Sequence, residues 1–120
     1  MKISVSTLCD RLDLGVDALL LIRKHFGNRF CLTQARFELI VQLLLKEGLL
    51  SGYSSYELLD KLSDRLSVRA WERMGRLHDR LWDKHACGIL RKHAQLAVSE
   101  CTVEHLVKSF PYIQKALFKK

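Results

Sequence analysis

Apolar residues recur every three or four positions along almost the whole chain, and alternation with a period of two is nearly absent. This spacing constrains the fold strongly. Residues three and four apart share one face of an α-helix, whereas a strand face takes every second residue. The chain is therefore expected to be all-α. Val5, Leu8 and Leu12 make the apolar edge of a first short helix, with Ser4 or Ser6 as its cap. Gly15 interrupts, Asp17 is expected to cap a second helix over 18–26, and Gly27 and Asn28 stop it. Thr33 caps a third helix whose broad apolar face holds Phe37, Ile40, Val41, Leu44 and Leu45, and Gly48 ends it.

The second half continues in the same way. Ser54 and Glu57 have the spacing of a capping box, in which each side chain satisfies an amide of the other's segment. A fourth helix follows through Leu58, Leu59, Leu62 and Leu66. The longest helical pattern covers 68–97, either continuing the fourth helix or restarting at Ser67. Gly75 and Gly88 lie inside it, each weakening it by about 1 kcal/mol relative to Ala. Beyond Lys84 the apolar direction rotates, because Ala86, Ile89 and Leu90 leave the face of Leu77 and Leu81, so a kink or break is expected near Cys87 and Gly88. Thr102 is read as the cap of a helix through Val103, Leu106, Val107 and Phe110. Pro111 suits the first turn of a last helix ending at Lys119 and Lys120. The expected architecture is a compact bundle of six or seven helices with one long central helix. With 120 residues, 1–120 is expected to be a single helical domain around one core.

Charge is distributed unevenly. Residues 1–60 carry seven Lys or Arg and seven Asp or Glu, whereas residues 61–120 carry thirteen against six, so the net charge of +7 lies wholly in the second half. An anionic partner is the expected consequence. The cations are also ordered. Arg65, Arg69, Arg73, Arg76, Arg80 and Lys84 follow spacings of four, four, three, four and four, and Arg91 returns to the same direction. At about 100° per residue they occupy an arc of about 100° on a helix. Beside that arc lie Leu66, Ala70, Met74, Leu77 and Leu81, with Trp71 and Trp82 at the far edge. If the apolar arc faces the core, the cations line a rim open to solvent. Like charges at i and i+4 cost a few tenths of a kcal/mol per pair, so stability alone does not select such a row.

Phosphate is the chemistry that suits it. Arginine donates paired hydrogen bonds to phosphate oxygens, and a row of cations releases the counterions condensed on nucleic acid. The expected function is a small, non-enzymatic nucleic-acid-binding module that contacts the phosphate backbone without strong sequence preference. The alternative is a protein-interaction subunit, an adaptor, inhibitor or small subunit of a larger complex, recognising an acidic protein surface. A homodimer is compatible with both.

Other constellations are weaker. Residues 7–22 have the core spacing of a helix-turn-helix, but the positions that would read DNA are Gly15, Val16, Asp17, Leu20 and Leu21, which lack the donors base edges require. His85, Cys87 and His93 point in different directions from one helix, so no metal site is expected. Arg73 with His78 and Arg80 with His85 have the R-x4-H spacing, which resembles that of the HEPN ribonucleases, an all-α family in which such a pair acts on RNA phosphate. The resemblance spans six residues, and Met74 and Leu81 stand where that family carries a polar residue. No catalytic residues and no cofactor are assigned. Cys9, Cys31, Cys87 and Cys101 form no C-x-x-C pair and read as reduced thiols. The N-terminus lacks the apolar stretch of a signal peptide and no apolar run approaches membrane-span length, so the expected compartment is the cytoplasm, or the nucleus in a eukaryote.

Overall fold

The computed structural model describes residues 2–50, 58, 60–89 and 102–119, and at 63, 78 and 81–89 the backbone alone. Most of these residues are helical. The elements run β1 (Lys2–Ser4), α1 (Val5–Arg11), α2 (Val16–Phe26), β2 (Arg29–Cys31), α3 (Gln34–Lys46), a 3-10 turn (Ser63–Arg65), α4 (Val68–Ile89), α5 (102–108) and α6 (Phe110–Phe118).

The two short strands correct the all-α expectation. They pair antiparallel, with Lys2 opposite Cys31, Ile3 opposite Phe30 and Ser4 opposite Arg29. Each strand has three residues and sends one side chain, Ile3 or Phe30, into the core. One inward residue per strand leaves no alternation to detect in the sequence.

Local chemistry sets most helix boundaries. Ser4 Oγ accepts the amide of Thr7 at 3.2 Å and Thr33 Oγ1 that of Arg36 at 3.2 Å, so both act as N-caps. The start of α2 differs from expectation. Gly15 occupies its cap without a side-chain bond, and Asp17 lies in the first turn, where its charge favours the helix dipole. Helix α3 ends in a Schellman turn. Gly48, at φ +70°, donates to Leu45 O, and Leu49 donates to Leu44 O. Helix α1 ends in the same motif with a less suitable residue. Asp13, at φ +54°, donates to Asp10 O, and Leu14 donates to Cys9 O.

The core is one cluster of buried side chains that includes Leu8, Ile22, Phe37, Leu44, Leu62, Met74, Leu106 and Ile113. Fully burying each large apolar side chain contributes roughly 1.5–3 kcal/mol, more than the about 1 kcal/mol of a typical cap. The helix-turn-helix spacing of the first two helices serves this core: Leu8, Cys9, Leu12 and Ile22 are buried, with Leu14 and Leu19 packed against them. Helix α6 docks through Phe110, whose ring centroid lies 5.3 Å from that of Phe37, and through buried Ile113 and Leu117. Gln114 adds a hydrogen bond of 3.3 Å from its side-chain amide to Leu32 O.

Candidate nucleic-acid interface

Helix α4 starts afresh rather than continuing from the preceding segment. Ser67 Oγ accepts the amide of Ala70 at 3.1 Å, an N-cap that separates the helix from the 3-10 turn. From there α4 is helical through Gly75 and Gly88 to Ile89, the last described residue of this segment, and the continuation to 97 expected from the sequence lies outside the described residues. Met74 is buried, while Leu66, Ala70, Trp71 and Leu77 are half-buried. Arg69, Arg73, Arg76 and Arg80 are all exposed. Their positions span about 60° of the helix surface and about 16 Å along its axis, roughly opposite Met74. Among the described residues none of the four makes an ion pair. The pairs between described residues join Lys61 to Asp13 at 3.2 Å and Lys108 to Glu104 at 2.9 Å.

Arg65 does not belong to this rod. It lies in the 3-10 turn and donates from Nη1 to the carbonyl oxygen of Lys119 at 2.8 Å. Its guanidinium thereby satisfies the C-terminal end of α6, where a cation also suits the helix dipole. Arg91 and the side chain of Lys84 lie outside the described residues. So do the capping box at Ser54, the side chains of His78, Leu81, Trp82, His85 and Cys87, and residues His93 and Cys101.

A second wall faces the arginines, and its residues were not singled out by the sequence reading. Because Ile113, Ala116 and Leu117 turn α6 into the core, its other side carries Tyr112, Lys115 and Lys119 beside α4. Two adjoining hollows run between the walls. The first, about 710 Å³, is lined by Arg65, Arg69 and Arg73 on one side and Tyr112, Lys115, Phe118 and Lys119 on the other. The second, about 910 Å³, is lined by Arg73, Arg76, Leu77 and Arg80 against Lys108 and Tyr112, with Asp79 as its one acid. Arg73 and Tyr112 border both hollows. The spacing Lys108, Tyr112, Lys115, Lys119 is four, three, four, the same as Arg69, Arg73, Arg76, Arg80. That repetition is present in the sequence, but Lys108 belongs to α5 and the others to α6 and its end, so only the fold brings them to one wall.

The first hollow contains five cations and no acid among its lining residues, and the second four cations and one acid. Low-dielectric walls concentrate the field of such charges in the space between them, which raises the local concentration of anions. The lining is not all charged. Leu66, Ala70 and Phe118 contribute apolar surface to the first hollow, and Leu77 to the second.

Among the described residues, no group of three or more His, Cys, Asp or Glu side chains is placed to hold a metal ion. No described helix is long and apolar enough to cross a membrane. No family model, curated protein or solved structure matches this chain.

Proposed function

We propose that this protein is a small, non-enzymatic module that binds nucleic acid through its phosphate backbone in the groove between α4 and α6. One observation carries the reading. Arg69, Arg73, Arg76 and Arg80 are exposed on one side of α4, make no ion pair among the described residues, and lie across the groove from further cations. A row of exposed cations held at fixed spacing by a helix suits repeated phosphates, which arginine contacts through two parallel hydrogen bonds. Lys108, Lys115 and Lys119 join the set, Arg65 contributes from the edge, and the reading includes Lys84 and Arg91 on their sequence spacing alone. The reading includes a cytoplasmic location, or a nuclear one in a eukaryote, where such a partner is present. It also includes a bundle of six or seven helices in one domain with α4 as the long central member, since Met74 belongs to the same buried cluster as residues from Ile3 to Leu117.

The test is a salt titration of binding to DNA, RNA and polyglutamate. Each phosphate neutralised contributes a slope of roughly −0.7 to −0.9 in log affinity against log salt, so four contacts give about −3 to −4. Changing Arg69, Arg73, Arg76 and Arg80 together to Glu should abolish binding while leaving the thermal transition in place. Unchanged binding in that variant would refute the proposal. Equal retention of polyglutamate would move the assignment to an acidic protein surface.

A further inference from the structure

We infer that the groove takes a single strand of nucleic acid rather than a duplex, with Tyr112 as the platform on which an unpaired base stacks. The inference rests on the nucleic-acid reading above and adds the form of the ligand. Tyr112 lies half-buried at the junction of the two hollows, opposite Arg73, and borders both. Phosphate contact alone needs only cations on an open surface. Here the cations form two walls, and the space between them is lined by Tyr112 together with Leu66, Phe118 and Leu77. A duplex offers that lining nothing, because its base faces are already stacked on one another. An unpaired strand offers a flat apolar base to the ring while its phosphates run along the arginines, the combination by which single strands are held without sequence preference. The hollows, about 710 and 910 Å³, are open to solvent and match in size the sites of roughly 300–1,000 Å³ that take compact organic ligands. Each therefore has room for a nucleotide-sized group.

The experiment measures fluorescence anisotropy of labelled dodecathymidylate, dodecauridylate and a 12-base-pair duplex at fixed salt. Tyr112→Ala, Tyr112→Phe and the four-arginine Glu variant are compared with the wild type. The single strands should bind more tightly than the duplex. Tyr112→Ala should weaken the single strands about 5- to 150-fold, the equivalent of one lost base–aromatic stack, and leave the duplex unchanged, whereas Tyr112→Phe should stay within about 2-fold of the wild type, since it keeps the ring. Dodecathymidylate with abasic sites at alternate positions keeps every phosphate and removes half the bases. It should bind wild-type protein more weakly than the intact strand, a readout that needs no folded variant. Preference for the duplex, or equal binding of the abasic and intact strands, would overturn the inference while the Glu variant still tested the phosphate reading. Binding of neither strand nor duplex would overturn both.

Discussion

Arg65 Nη1 and the carbonyl oxygen of Lys119 lie 2.8 Å apart although 54 positions separate the two residues in the chain. The bond ties the 3-10 turn that precedes α4 to the residue that ends α6. It therefore joins the two walls of the groove at one end. It also spends part of the hydrogen-bonding capacity of Arg65, whose spacing matches the cationic row, inside the molecule.

Arg65→Ala should lower stability by about 1 kcal/mol, the net value of one intramolecular hydrogen bond at a partly exposed site. The same change should reduce the salt slope of binding less than Arg73→Ala does, because Arg73 borders both hollows and is exposed. Urea denaturation measures the first effect and salt-dependent anisotropy the second. A larger loss of slope in the Arg65 variant would contradict this division of roles.

Asp13→Gly should raise stability by about 0.5–1 kcal/mol. Asp13 ends α1 at φ +54°, a conformation that costs a non-glycine residue about 1–2 kcal/mol, with aspartate at the tolerant end. The substitution also removes the ion pair with Lys61 at 3.2 Å. Both partners are more than half exposed, at 54% and 69%, and such pairs contribute at most about 1 kcal/mol and often nothing. The backbone effect therefore prevails. A fall in the urea midpoint would show that the pair matters more than its exposure implies.

Gly75→Ala should also stabilise, by about 0.5–1 kcal/mol. Gly75 lies inside α4, and a Cβ built there meets nothing within 4 Å beyond the helix's own backbone. Ala then brings only its better helix propensity. The position is turned about 130° from the middle of the arginine row, so nucleic-acid affinity should stay within about 2-fold of the wild type.

Cys9 should contribute a stability that is lost on the alkaline side. Burial raises its thiol pKa, because the thiolate is poorly solvated in the core. In the unfolded chain the thiol ionises near its ordinary pKa of about 8.5. Above that pH the unfolded state binds fewer protons than the native one, so unfolding becomes easier as pH rises toward the raised native value. Denaturation at pH 7.5 and pH 10 should show a larger loss for the wild type than for Cys9→Ala. Equal losses in the two proteins would remove Cys9 from the account.

Much of the helical layout was legible because it depends on neighbours in the chain. Ser4, Thr33 and Ser67 cap the amides of residues three positions on, and Gly48 supplies the left-handed turn that closes α3. Helix α2 is capped two positions before Asp17, at Gly15, because Asp17 suits the first turn as well as the cap and nothing local separates the two roles. The strands were illegible for another reason. Lys2–Ser4 and Arg29–Cys31 become a sheet only when α1 and α2 bring them together, and three residues carry no periodicity of their own.

The arginine row is a property of the sequence itself. Once residues 68–80 are helical, the four-three-four spacing puts Arg69, Arg73, Arg76 and Arg80 on one side of the rod whatever the rest of the chain does. The groove is a property of the tertiary structure. It exists because Phe110, Ile113 and Leu117 dock α6 into the core and leave Tyr112, Lys115 and Lys119 beside α4. Helical geometry repeats over a few residues and can be read locally. Which helix lies beside which is decided by burial summed over the whole core, and no short stretch of the chain contains that sum.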